Sequence, residues 1–71
     1  MTKEELKTRI GNRIVELRKA KGWSQADLAR ACKKDRQATE KLENGKVNPT
    51  LYSLYEVAVA LEVNLRELVE F

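Results

Sequence analysis

Five residues of the kind that caps helix N-termini divide this chain into short segments. They are Thr2, Ser24, Asp35, Thr50 and Asn64, and each stands directly before a stretch in which apolar residues recur every three or four positions. Thr2, Ser24 and Asn64 also have an acidic residue three positions later, which completes a capping box. Apolar and polar residues nowhere alternate for more than a few positions, as they would in a half-buried strand. The pattern therefore predicts five short helices.

The apolar stripe of each segment indicates which side chains face the core. The predicted inward positions are Leu6, Ile10, Ile14 and Leu17 in the first helix, Leu28 and Cys32 in the second, Thr39 and Leu42 in the third, and Leu51, Leu54, Ala58 and Leu61 in the fourth. The fifth helix carries Leu65, Leu68 and Val69, and one side of it can close the core. Gly22 and Gly45 are predicted to end the first and third helices. Because the chain has only 71 residues, we expect one compact, all-α, five-helix domain over 1–71.

The charge is divided along the chain. Residues 1–49 hold 13 Lys or Arg against 7 Asp or Glu, whereas residues 50–71 hold 1 against 4, so that the net charge of +3 is the sum of +6 and −3. A basic part of this kind suits a polyanionic partner, although many small domains have one more basic end. With no histidine and one cysteine, Cys32, there is no disulfide framework and no cysteine or histidine metal cage. The charged N-terminus and the short apolar runs predict a cytoplasmic, nucleoid-associated protein without a membrane span.

Residues 24–44 have the layout of a helix-turn-helix unit. If Asp35 caps the third helix, only Lys33 and Lys34 connect it to the second, so the two helices must cross steeply. The third helix, over 36–44, would be about 13 Å long, which matches a major groove roughly 12 Å wide. Its outward residues would be Arg36, Gln37, Glu40, Lys41 and Asn44, of which the first four are candidates to contact bases. By composition alone, the same residues could also be an ordinary solvated face.

Candidates to contact the DNA phosphates surround this third helix. Ser24 and Gln25 lie at the start of the second helix, where free backbone N–H groups and the helix dipole favour an anion. Lys46 and Asn48 follow the third helix and could hold the next stretch of backbone.

Several motifs in one order resemble the phage-repressor/Cro, or XRE-type, helix-turn-helix regulators. They are the run from Ile10 to Gln25, then Asp27-Leu28-Ala29, Leu42-Glu43-Asn44-Gly45-Lys46 and Asn48-Pro49-Thr50-Leu51. The resemblance implies a lambda-repressor-like domain that binds operator DNA, commonly as a homodimer on half-sites roughly 34 Å apart. By position, it places base reading on Arg36, Gln37 and Lys41, phosphate contacts on Gln25, Asn44 and Lys46, and a structural ion pair on Arg18 and Glu43.

Four positions depart from the pattern of these regulators. Lys33 and Glu62 stand where a glycine is usual, Lys34 where a buried Val or Leu is usual, and Thr39 where Ile or Val is usual. A lysine at positive φ costs of order 1 kcal/mol. Lys34 could bury its stem and extend its ammonium toward solvent or DNA. Our hypothesis is that Lys33 and Lys34 compensate by attracting phosphates beside the third helix.

The last segment has more apolar side chains than the end of so small a domain usually carries. We interpret the helix over 64–70, with Leu65, Leu68, Val69 and Phe71, as an element of a dimer interface. A protein-interaction module that keeps the fold but has lost DNA reading is the alternative to a DNA-binding regulator. An enzyme is a weak third hypothesis, because no nucleophile–base arrangement and no phosphate loop is present. We expect no cofactor, and the sequence shows no sign of a small-molecule site.

Overall fold

The computed structural model describes residues 1–71 as four α-helices followed by a turn of 3₁₀ helix. The α-helices are α1 (Lys3–Ala20), α2 (Gln25–Cys32), α3 (Arg36–Glu43) and α4 (Leu51–Leu61), and the 3₁₀ turn is Leu65–Val69. All five predicted N-cap residues directly precede these elements. The predicted helix-turn-helix unit over 24–44 is therefore present, and α3 ends one residue earlier than predicted because Asn44 is its C-cap.

The prediction of a fifth α-helix over 64–70 is wrong. After Asn64 the backbone closes a tighter turn, in which the Glu67 N–H donates to the Asn64 carbonyl three residues back at 2.9 Å. Arg13 Nε donates to the Glu67 carbonyl at 2.7 Å and joins this turn to α1. Five residues complete too few α-helical hydrogen bonds to offset the cost of nucleating a helix.

The core lies where α1, α2, α4 and the 3₁₀ turn meet. Its buried apolar members are Ile10, Ile14, Leu28, Leu54, Val57, Ala58, Leu61 and Leu68. Leu17, Trp23, Cys32 and Leu42 pack against this cluster and remain partly exposed. Cys32 and Trp23 are thus packing residues, and burial together with the nearby Glu56 carboxylate raises the pKa of the Cys32 thiol.

Two predicted core positions are exposed, and one buried residue was not predicted. Leu6 is 41% exposed and Leu51 is 71% exposed, so neither belongs to the core. Both occupy the first turn of a helix, where the neighbouring elements do not reach. Val57 is buried, although it was not among the predicted inward residues of α4. It was missed because α4 is apolar on most of its circumference, so the spacing of its apolar residues does not define one inward face. The structure contains no helix that combines the length and the hydropathy of a membrane span.

Gly11 has a structural role that helix propensity does not reveal. A Cβ atom at this position would lie 2.2 Å from the Glu43 carbonyl oxygen and 2.9 Å from that of Leu42. The end of α3 therefore rests directly on the backbone of α1, and only glycine leaves room for this contact. The crossing holds the helix-turn-helix unit on the long first helix.

Candidate nucleic-acid interface

The turn between α2 and α3 is built from local hydrogen bonds. The Lys33 N–H donates to the Arg30 carbonyl at 3.1 Å and the Lys34 N–H to the Ala29 carbonyl at 2.9 Å, which is a Schellman closure of α2. The closure requires a left-handed residue, and Lys33 takes that conformation with φ +57°. Asp35 then starts α3 by accepting a hydrogen bond from the Ala38 N–H at 2.7 Å. The two connecting residues predicted from the sequence thus set the direction of α3.

Glu62 at the end of α4 has the same left-handed conformation, with φ +60°. Its carboxylate accepts a hydrogen bond from Lys21 Nζ at 2.8 Å, and this contact lowers the pKa of Glu62. Both positions where the resemblance indicated glycine therefore need positive φ, and both are occupied by charged side chains. Left-handed backbone in a non-glycine residue costs of order 1 kcal/mol at each site.

A buried ion pair joins α1 to the end of α3. Arg18 Nε donates to Glu43 Oε2 at 2.7 Å and Nη2 to Glu43 Oε1 at 3.1 Å, and the two side chains are only 10% and 2% exposed. Arg18 Nη1 also donates to the Trp23 carbonyl at 2.8 Å, so the guanidinium is satisfied on several sides. Gln25 Nε2 donates to Glu43 Oε1 at 2.9 Å and connects the start of α2 to the same carboxylate. This bidentate, fully bonded arrangement determines how α3 is presented.

The outward face of α3 carries the candidate base readers. Arg36, Gln37, Glu40 and Lys41 are all exposed, whereas Thr39 and Glu43 face inward. No side-chain hydrogen bond or ion pair inside the chain uses Arg36, Gln37 or Lys41. Their donors are therefore free for a partner. Glu40 differs, because Lys46 Nζ lies 3.8 Å from its Oε1.

The candidate phosphate-contacting residues fall into two groups. Lys33, Asn44 and Asn48 are exposed around α3 and have no side-chain partner within the chain. The others are engaged: Ser24 caps α2, Gln25 donates to the Glu43 carboxylate, Lys34 lies 3.6 Å from Glu56 of α4, and Lys46 lies 3.8 Å from Glu40. The Lys34 side chain is 52% exposed and does not replace a core residue.

The start of α2 is held by a capping box. Ser24 Oγ accepts from the Asp27 N–H at 3.1 Å, and the Asp27 carboxylate accepts from the Ser24 N–H at 2.8 Å. Hydrogen bonds from the Ser24 backbone and side chain, with the Arg30 charge, lower the pKa of Asp27. Two of the N-terminal N–H groups are therefore committed to the cap.

A groove of about 350 Å³ separates α3 from α4, which sequence analysis did not predict. Thr39, Leu42 and Val57 line it on the inside, and Lys34 and Glu56 stand at its edge. The space exists because Thr39 is short and Lys34 points outward. A larger apolar residue at either position would reach into it.

Residues 14–68 of the chain match the model of the helix-turn-helix family. The chain belongs to this family. The resemblance identified from the motifs is thereby confirmed, and it covers most of the chain.

Individual proteins of known sequence or structure agree with this assignment. The chain is 35% identical over 65 residues to the uncharacterized HTH-type transcriptional regulator y4dJ of Sinorhizobium fredii, covering 92% of this chain and 84% of that protein. It is 37% identical over 65 residues to the control protein C.MunI of a Mycoplasma species, covering 90% and 88%. The crystal structure of the restriction-modification controller protein C.AhdI from Aeromonas hydrophila superposes with a TM-score of 0.83 at 39% identity, covering 86% of this chain and 92% of that one.

The helix-turn-helix fold brings some predicted site residues together and separates others. Arg18 and Glu43, 25 positions apart in sequence, are in direct contact, and Arg36, Gln37 and Lys41 are all exposed on α3. The predicted dimer residues do not form one surface. Leu68 is fully buried in the monomer, so its assignment to a dimer interface is wrong, while Val69 and Phe71 are each 49% exposed.

Proposed function

We propose that this protein is a sequence-specific regulator that binds double-stranded DNA with α3 in the major groove. The observation that carries the proposal is the outward trio of Arg36, Gln37 and Lys41. These side chains have no partner within the chain, and they project from a helix whose orientation is held by a buried ion pair. Arg and Lys pair with guanine and Gln with adenine in the major groove. Eight residues make α3 about 12 Å long, which suits that groove.

Phosphate contacts on both sides of α3 complete the proposed interface. Ser24 and Gln25 approach one strand from the start of α2, and Asn44, Lys46 and Asn48 approach the other from the loop after α3. The Gln25 amide gives one N–H to Glu43 and keeps its second N–H for a phosphate. Lys33 adds a cation at the turn, and Lys34 reaches a phosphate only if it leaves Glu56.

The relatives favour a controller type of regulation. Two of them, C.MunI and C.AhdI, are named as control proteins, and the chain aligns with about nine-tenths of each. We infer that this protein binds operator DNA as a homodimer, with half-sites roughly 34 Å apart. The function is regulatory binding in the cytoplasm, at the nucleoid, rather than catalysis.

Two exposed apolar surfaces can support that homodimer. The C-terminal surface keeps Val69 and Phe71, and the Arg9 guanidinium covers the Phe71 ring at 5.8 Å. The second lies on α4, where Leu51, Tyr52, Tyr55 and Val59 are each more than half exposed. Sedimentation of the variants Val59→Lys and Val69→Lys shows which surface forms the dimer, since only the variant at the true interface becomes monomeric. A wild type that is monomeric at tens of micromolar, with and without DNA, contradicts the dimer.

Selection of bound sequences from a random duplex pool tests the proposal directly. The wild type is expected to enrich one two-fold site, and log K is expected to fall steeply with log salt. Arg36→Ala should cost about 1–3 kcal/mol at one base pair and relax the preference there. Lys19→Ala, which removes an exposed cation of α1, is the matched control and should leave the preference intact. Negligible salt-dependent binding to any duplex would instead favour a protein-interaction module.

A further inference from the structure

Glu40 is the one acidic side chain on the outward face of α3. At about 100° per residue, it lies about 40° from Arg36 and about 60° from Gln37 around the helix axis, and Lys41 follows about 40° further. A carboxylate thus stands between the side chains proposed to read bases, on a face that must approach a polyanion. Such a charge weakens binding to any DNA unless a specific donor meets it.

Lys46 is folded back beside this carboxylate. Gly45 takes φ +69°, and the Lys46 N–H donates to the Lys41 carbonyl at 2.9 Å, so the chain reverses after α3. Lys46 Nζ then lies 3.8 Å from Glu40 Oε1, with the two side chains 60% and 49% exposed. An exposed pair at this distance is weak and exchanges easily for other partners. Lys46 therefore neutralises Glu40 in the free protein without locking it.

We propose that Glu40 selects the operator by exclusion, accepting a hydrogen bond from the N4 amino group of a cytosine while Lys46 moves to a phosphate. A carboxylate only accepts hydrogen bonds. Opposite cytosine N4 it finds a donor with no acceptor beside it, whereas the adenine N6 donor stands next to the N7 acceptor, and guanine O6 or thymine O4 is itself an acceptor that leaves the carboxylate unsatisfied. The inference rests on the proposed placement of α3 in the major groove, and it adds a specificity determinant and the base that it recognises.

Glu40→Gln tests the proposal, and Glu70→Gln is its matched control. Glu70 also pairs at 3.8 Å, with Arg13, so both variants lose one charge and one weak ion pair. Glu40→Gln should bind random duplex about fivefold more tightly, measured by fluorescence anisotropy. Its selected pool should lose the preference for cytosine at one position by about fivefold or more. Glu70→Gln should change neither.

Lys46→Ala, made in the wild type and in Glu40→Gln, tests whether Lys46 leaves Glu40 for a phosphate on binding. In the wild type the change removes a phosphate contact but also the Glu40 pair that Lys46 must leave on binding, whereas with Glu40→Gln only the contact is lost. Binding to random duplex should therefore fall further in the Glu40→Gln background. If the wild type selects an operator but Glu40→Gln leaves the pool and the random-duplex affinity unchanged, this inference is overturned while DNA reading stands. A wild type that binds no duplex overturns both.

Discussion

Replacing Gly11 with alanine tests the account of how α3 is held. Alanine at an exposed helix position is more favourable than glycine by about 1 kcal/mol, so propensity alone predicts a more stable protein. The structure predicts the opposite, since the new Cβ would lie 2.2 Å from the Glu43 carbonyl oxygen. Ordinary contact begins at 3.4 Å, so one helix must move by roughly 1.2 Å against the other.

That movement acts on the buried ion pair. Arg18 and Glu43 make two hydrogen bonds of 2.7 and 3.1 Å, and a shift of this size takes both beyond bonding distance. Overpacking costs about 1–3 kcal/mol, and breaking a buried pair costs about 3–5 kcal/mol, so a net loss of at least about 3 kcal/mol remains after the gain in propensity.

Urea unfolding measures this loss, with the fluorescence of the single tryptophan, Trp23, as the probe. Asn12→Ala is the matched control, because Asn12 is exposed on the same helix and its replacement should stabilise slightly. Equal or greater stability of Gly11→Ala, with DNA binding retained, would refute the close crossing of α1 and α3. A stable Gly11→Ala that had also lost DNA binding would show that the strain is absorbed by displacing α3.

Three further predictions concern the same framework. Glu43→Ala leaves the Arg18 guanidinium buried without its partner and should lower the free energy of unfolding, measured in urea, by about 3–5 kcal/mol. The control Glu16→Ala removes one side of an exposed ion pair and should change the same free energy by less than about 1 kcal/mol. Lys33→Gly relieves the strain of a left-handed lysine and should stabilise the protein by about 0.5–1 kcal/mol. If Lys33 also contacts a phosphate, the slope of log K for DNA binding against log salt should flatten by about 0.9. An unchanged slope would show that Lys33 makes no phosphate contact. The lowered pKa values of Asp27 and Glu62 mean that their contributions to stability are complete above the unfolded-state pKa values, about 4 to 4.5, and are lost as the pH falls through the folded values. Melting temperatures of Asp27→Asn and Glu62→Gln should consequently fall less than that of the wild type on acidification below about pH 4.5, and parallel curves would contradict these assignments.

The N-cap residues show why so much of this fold was predictable. Ser24 and Asp35 each act within one turn, through hydrogen bonds to residues three positions away, so their effect is written in local sequence. The outward trio of α3 could be predicted for a related reason, because helical periodicity decides which residues share a face once one inward position, Thr39, is known. The length of the Lys33-Lys34 connection followed from the caps on either side.

The errors have a different origin. Leu51 and Leu68 are equally apolar, yet one is 71% exposed and the other is fully buried, because burial depends on which neighbouring element reaches the residue. The C-terminal segment has a sound cap and good apolar spacing, yet its five residues form a 3₁₀ turn, which Arg13 joins to α1 through a hydrogen bond to the Glu67 carbonyl. The groove between α3 and α4 likewise depends on where the Lys34 side chain turns.

By itself, the sequence determined the number and order of the helical elements, their starts, the short α2–α3 connection and the face of α3 offered to a partner, since all of these arise from hydrogen bonds and spacing within a few residues. The tertiary structure alone decided how α3 is held. Gly11 admits the end of α3 to the backbone of α1, and Arg18 then closes on Glu43 across 25 residues of sequence. Such long-range contacts depend on the distance between helix axes, which no local pattern encodes.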